Sequence, residues 1–135
     1  MVDHLANKFL QKKLDSISEY LPSGISANMI TMIGFVIGLI SVISISLKFY
    51  VMGLFLIIIN RFFDGLDGAV ARKNGRTSFG GYIDILCDFI FYSAVVIGFV
   101  IADFEKNSQA AIFLLFSFVG TGTSFLAFAA IKKKK

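Results

Sequence analysis

Four carboxylates, Asp64, Asp67, Asp84 and Asp88, fall within a stretch of twenty-five residues at spacings that suit helix faces. On a helix, 64 and 67 are neighbours at i, i+3, Gly68 and Ala71 extend that side, and Arg72 lies close by. Positions 80, 84 and 88 form a second stripe at i, i+4 and i+8, with Gly80 at its head. Two antiparallel helices joined by a short loop would point all four carboxylates into one cleft. An all-oxygen donor set suits hard divalent cations such as Mg2+, Mn2+ or Ca2+ rather than zinc, and His4 and Cys87 are too few and too badly placed to alter that. Four carboxylates can hold two ions, an arrangement suited to clamping a diphosphate during a displacement. Gly68 and Gly80 would let a bulky group approach the backbone, and Arg72 offers a planar fork for phosphate oxygens.

The surroundings make this block costly. It is flanked by FLIIINRFF and FIFYSAVVIGFVIA in a 135-residue chain that is 56% hydrophobic, above the usual content of soluble domains. A charge at mid-bilayer costs about 2.5–3.5 kcal/mol on insertion scales, so four acids carry a penalty of roughly 10 kcal/mol unless something neutralises them. Metal ions or a wet polar cavity would do so.

The apolar stretches define the elements that must carry the acids. Tyr20 to Leu47 is uncharged for 28 residues and holds one span starting near Asn28. Phe49 to Asn60 is uncharged for only 12 residues, so its helix must continue through Arg61, Asp64 and Asp67 to about Arg72. A third span covers roughly Phe79 to Ala102, and a fourth lies in the 25 uncharged residues from Asn107 to Ile131. The expected fold is all-α: a polytopic membrane bundle of four transmembrane helices over 25–135, forming a single domain with an interfacial amphipathic helix and turn over 1–24. In that leading segment Leu5, Phe9, Leu10, Leu14 and Ile17 recur near helical spacing with lysines between them, and Pro22 and Gly24 break the chain before the first span.

Charge placement orients the bundle. Lys8, Lys12 and Lys13, then Arg72, Lys73 and Arg76, then Lys132 to Lys135 lie on one side; Lys48 and the mixed loop Asp103, Glu105, Lys106 lie on the other. The positive-inside rule puts both termini and the acidic block on the cytoplasmic side of the cell or inner membrane. No cleavable secretion signal is expected, a lone Cys87 excludes an internal disulfide, and no basic stripe interleaved with aromatics points to nucleic acid.

The block closely resembles the signature of the CDP-alcohol phosphotransferase family, Asp-x2-Asp-Gly-x2-Ala-Arg, a spacer, then Gly-x3-Asp-x3-Asp. Asp64, Asp67, Gly68, Ala71, Arg72, Gly80, Asp84 and Asp88 fill every fixed position. The stretch from Ser26 to Thr31 also looks like the family's first-helix opening, in which Asn28 and Thr31 would help line the nucleotide site. The resemblance spans roughly residues 20–130. It implies an integral membrane enzyme that moves a phosphatidyl or other substituted phosphate group from a CDP-alcohol, usually CDP-diacylglycerol, to an acceptor alcohol and releases CMP. By position, Asp64, Asp67, Asp84 and Asp88 would hold Mg2+ or Mn2+ as a pair of ions, and Asp88 would also deprotonate the attacking hydroxyl. Gly68, Ala71 and Gly80 would shape the cytidine pocket, and Arg72 would approach phosphate.

Two features depart from the family. Seven residues separate Arg72 from Gly80, one fewer than in many members, which a shorter turn would absorb. Members usually have six spans, whereas four are expected here. The alternatives are therefore a catalytically incomplete, truncated member that still binds metal and CDP-nucleotide, and a small cation-binding membrane transporter. Clustering of the acids at one face argues against the transporter.

Among the remaining residues, Gly34-x3-Gly38, Gly120 and Gly122 are expected at close helix crossings within one protomer, with a homodimer seam as the alternative. Arg61, one turn before Asp64, is read as a structural ion pair. Cys87 is read as a packed apolar residue pointing away from the acidic stripe.

Overall fold

The computed structural model describes residues 2–22 and 24–132, and its side chains are described from Leu10 onward, as far as Ile131. Lys133 to Lys135 of the basic tail lie outside the described residues, as do the side chains of His4, Leu5, Lys8, Phe9 and Lys132. The chain forms five helices in order: α1 (Val2–Tyr20), α2 (Ala27–Ser46), α3 (Tyr50–Asn74), α4 (Ser78–Ala102) and α5 (Phe104–Lys132). Among the described residues there is no strand, so the all-α expectation holds.

Local chemistry sets the helix ends. Ser26 caps α2 by accepting from the Met29 amide, and Thr77 caps α4 by accepting from the Gly80 amide, each relieving one of the unpaired donors of a first turn. Gly75 ends α3 with φ +94°, a left-handed conformation that suits a residue without a side chain. The α2–α3 turn places Lys48 in the same region, at φ +67°. The expected solvated loop at 103–106 is shorter than predicted. Only Asp103 stands outside the helices; Glu105 and Lys106 form the first turn of α5, because the Asp103 carboxylate accepts from the Lys106 amide. Hydrogen bonding to Lys106 also holds the Asp103 carboxyl below the usual carboxylate range.

Three helices, α2, α4 and α5, are long and apolar enough to cross a membrane. At 25 residues, α3 spans about 37 Å at a rise of 1.5 Å per residue, but it carries Arg61 and the first two acids. Large apolar side chains such as Val51, Phe99, Phe116 and Leu126 face outward from the bundle, as in helices whose solvent is lipid.

α2 is the centre of the fold. It packs against both α3 and α4, while α3 and α4 do not pack closely on each other although only three residues join them. Small residues permit this. A side chain at Gly34 would lie 2.9 Å from Cβ of Phe63 on α3, and one at Gly38 would lie 2.7 Å from the Phe91 ring on α4. The Gly34-x3-Gly38 pair therefore serves crossings within one chain, as expected. α1 docks on α3: Leu14 joins Ile30, Leu66, Ala69 and Val70 in a buried cluster, and Gly65 lets the Leu14 side chain approach the α3 backbone. Arg72 pairs with Asp15 at 2.6 Å, and Lys73 donates to the Ser18 carbonyl at 2.9 Å.

Candidate active site

The gap that α2 props open between α3 and α4 is where the acids meet. Helical periodicity brings Asp64 and Asp67 to one side of α3, and Asp84 and Asp88 to one side of α4, with Thr31 and Gly34 of α2 at the back. A small cavity there is lined by all four carboxylates together with Asn60 and Arg61. A second cavity of about 510 Å3 opens toward the α3–α4 turn and is lined by Asn28, Gly68, Ala71, Arg76 and Gly80 among others. The two share Thr31, Asp67 and Asp84, so two of the four acids also border the larger cavity, whose volume is in the usual range for a small-molecule site.

Hydrogen bonds fix the walls. The Thr31 hydroxyl lies 2.6 Å from Asp67 Oδ2 and 3.1 Å from the Ala27 carbonyl; having one proton, it donates along the shorter contact, tying α2 to α3 inside the bundle. Asn60 Nδ2 donates to the Gly34 carbonyl at 2.8 Å, a second polar tie between the same helices. Arg61 fills the side of the small cavity. Its Nη2 donates to Asp88 Oδ1 at 2.9 Å, its Nη1 donates to the Tyr92 hydroxyl at 2.6 Å and lies 3.6 Å from Asp64 Oδ2, and its Nε donates to Asn60 Oδ1 at 2.9 Å. The guanidinium carbon stands 5.1 Å from the ring centres of both Phe91 and Tyr92.

Most of the predicted site residues converge. Asp64, Asp67, Asp84 and Asp88 line the small cavity, and Asn28, Thr31, Gly68, Ala71 and Gly80 line the large one. Arg72 lines neither cavity; its Nε and Nη2 donate to Asp15 near the end of α1, and its Nη1 lies beside Gly68. Cys87 corrects another expectation: it lines the small cavity beside Asp84 and Asp88 rather than pointing away. At three residues from Asp84 it is only about 60° round the helix, too little to leave that face. The expected Arg61–Asp64 pair is present, but the shorter contact is to Asp88, and the sequence alone assigns no role to Asn60, Phe91 or Tyr92. The spacing of Asp88 and Tyr92, one turn apart and facing an arginine, is the signal that could have found them.

The donor set fits a hard divalent cation by chemistry: four carboxylates and a hydroxyl, all oxygen, around one polar void in an apolar bundle. Among the described residues, no three acid, His or Cys side chains are drawn together into a ligand set. Asp64 and Asp88 face Arg61, and Asp67 is engaged by Thr31.

The family model described as CDP-alcohol phosphatidyltransferase matches residues 24–135, which include every residue of both cavities. The chain belongs to the CDP-alcohol phosphatidyltransferase family. It is 47% identical over 111 residues to the inner membrane protein YnjF of Escherichia coli (strain K12), covering 82% of this chain and 54% of that protein. It is 29% identical over 112 residues to the archaetidylinositol phosphate synthase of Pyrococcus horikoshii, covering 82% of this chain and 60% of that enzyme. A bifunctional IPC transferase and DIPP synthase of Thermococcus kodakarensis is 31% identical over 88 residues, which cover 64% of this chain and 20% of that protein. The chain thus spans little more than half the length of the first two relatives. No solved structure matches it. As a family member with three helices able to cross a membrane, it is an integral membrane helical protein.

Proposed function

We propose that this family member is a membrane phosphotransferase that moves a substituted phosphate group, such as phosphatidyl, from a CDP-alcohol to the hydroxyl of an acceptor alcohol and releases CMP. One observation carries the reading: Asp67 and Asp84 line both the small cavity that holds all four signature carboxylates and a cavity of about 510 Å3 whose lining includes the predicted nucleotide-site residues Asn28, Thr31, Gly68, Ala71 and Gly80. Asn28, Thr31, Gly68, Ala71 and Gly80 would receive the cytidine and the diphosphate, placing the reacting phosphorus near the acids. Asp64, Asp67, Asp84 and Asp88 would hold the divalent cations, Mg2+ or Mn2+. Bound there, such ions neutralise the diphosphate and favour departure of CMP. Asp88 would take the proton as the acceptor oxygen bonds to the donor phosphorus and the bond from that phosphorus to the CMP oxygen breaks. An alcohol needs a base of this kind because its hydroxyl is a weak nucleophile at neutral pH.

The four-span topology belongs to the same proposal. With α2 to α5 crossing the bilayer, Arg76 at the large cavity would share one side of the membrane with Lys12 and Lys13, which supports a site facing the cytoplasm. α1 would lie along that interface, held by Leu14 and the Arg72–Asp15 pair. A synthase among the relatives is named for a product bearing inositol phosphate, which supports including phosphorylated polyols among the acceptors.

The test is CMP release by the purified chain with Mg2+, CDP-diacylglycerol and a panel of alcohols that includes glycerol 3-phosphate, inositol phosphate, inositol and serine. Acceptor-dependent CMP that disappears in Asp88→Asn supports the reading. Intact cytidine-nucleotide binding with no CMP from any acceptor would replace it with a binding-only member.

A further inference from the structure

Arg61 is the cationic side chain that enters the acidic cavity, and the signature does not contain it. Its fork spans the gap between the helices, reaching Asp64 on its own helix and Asp88 on α4. A guanidinium keeps its charge at every accessible pH, so it is a permanent counter-ion inside a bundle where an uncompensated carboxylate is costly. Its remaining contacts do not depend on the acids. Asn60 Oδ1 accepts from Nε and Nη2 at 2.9 and 2.8 Å, the Tyr92 hydroxyl stands 2.6 Å from Nη1, and the Phe91 and Tyr92 rings lie beside the guanidinium plane. The group therefore has a seat it can keep after letting the carboxylates go.

We propose that Arg61 is a positioning residue that stands in for a divalent cation: it holds Asp88 and Asp64 apart from a ligand set in the metal-free protein and yields them when a cation enters the cleft. The inference rests on the metal reading given above and adds to it a built-in competitor. It accounts for the contacts of Asp64 and Asp88, the two acids of the cavity that face the Arg61 fork. With Arg61 counted, the four ionised acids leave the cleft a formal charge of −3; without it the charge is −4, and a dication is held more strongly. It also ties entry of the cation to freeing Asp88, so the carboxylate assigned as base becomes available only in the loaded cleft.

The experiment titrates Mn2+ into the full chain in detergent micelles, stripped of metal beforehand, and reads free Mn2+ by its paramagnetic resonance signal. Arg61→Met is expected to bind Mn2+ about tenfold tighter than wild type, equivalent to about 1.4 kcal/mol. Arg61→Lys, which keeps the charge and loses the fork, is expected between the two. The metal-free thermal midpoint of Arg61→Met is expected below wild type, with a larger rise on adding Mn2+, because the cation then replaces the missing counter-charge. Equal or weaker Mn2+ binding by folded Arg61→Met, with wild type still binding, overturns the competitor role and leaves the metal reading standing. No Mn2+ binding by wild type or either variant overturns both. Should Arg61→Met not fold, the wild-type chain decides: the Nε–Hε nuclear resonance of Arg61 is expected to shift as Mg2+ is titrated in, and an unmoved signal with Mg2+ bound overturns the proposal.

Discussion

Replacing Thr31 by valine removes one hydroxyl while leaving the side chain's shape nearly unchanged, so it isolates the 2.6 Å hydrogen bond to Asp67. Thr31 is 9% exposed and Asp67 4%, so the bond is largely withdrawn from bulk solvent although both residues border the cavities. Hydrogen bonds between membrane helices average about 0.6 kcal/mol in double-mutant cycles, with a maximum near 1.7. Bonds to charged acceptors contribute about 1.5–3 kcal/mol in soluble proteins. A short, buried bond to a carboxylate belongs at the overlap of these ranges, so we expect a coupling of about 1.5 kcal/mol, or about tenfold in the folding equilibrium. The assay is a four-protein cycle of wild type, Thr31→Val, Asp67→Ala and the double variant, each unfolded reversibly in mixed micelles. A coupling below about 0.5 kcal/mol would refute the claim that this bond clamps α2 to α3, since the cycle would then match an ordinary or absent contact.

Three further outcomes follow from the packing. Gly38→Ala would set a methyl 2.7 and 2.9 Å from the ring of Phe91, itself only 3% exposed, and should cost about 1–3 kcal/mol in thermal unfolding because the ring cannot yield cheaply; an unchanged midpoint would show that α2 and α4 do not cross so closely. Gly80→Ala would place a methyl 2.9 Å from Asn28 Oδ1 and from Thr77 Oγ1, at the mouth of the larger cavity. Titration with a CDP nucleotide should show about tenfold weaker binding for that variant, and wild-type affinity would count against this cavity as the nucleotide site. Asp15→Asn breaks a half-exposed pair with Arg72 and should cost less than about 1 kcal/mol, whereas Leu14→Ala, at a position 6% exposed, should cost about 2–4. Protease sensitivity of α1 should rise in the second variant and hardly change in the first.

The acid block is legible in the sequence because its spacing matches the helical period, and the period alone puts 64 with 67 and 84 with 88. What the sequence hides is set by residues distant in the chain. Arg72 reads as a phosphate ligand because its fork suits one, and the sequence does not show that Asp15, 57 residues earlier, engages its Nε and Nη2. Cys87 reads as a packed apolar residue, yet the helix turn that presents Asp84 presents it too. Above all, nothing local to the signature shows that α2 wedges α3 and α4 apart and so makes the cleft. That depends on Gly34 and Gly38 meeting Phe63 and Phe91 across three helices. Arg61 is recognisable as an ion pair with Asp64, but its closer partner Asp88 lies on another helix.

The central claim is that the carboxylate-lined cleft transfers a substituted phosphate from a cytidine diphosphate donor to a hydroxyl. Its most direct test places the full chain in liposomes with CDP-diacylglycerol, Mg2+ and an acceptor alcohol carrying heavy oxygen in its hydroxyl, followed by mass spectrometry of lipid and nucleotide. Heavy oxygen is expected in the phosphodiester of a new lipid, with an equal amount of unlabelled CMP, and neither product is expected with Asp88→Asn. Heavy oxygen in CMP, or release of CDP in place of CMP, would contradict it, because the bond broken would not be the one the cleft is built to cleave.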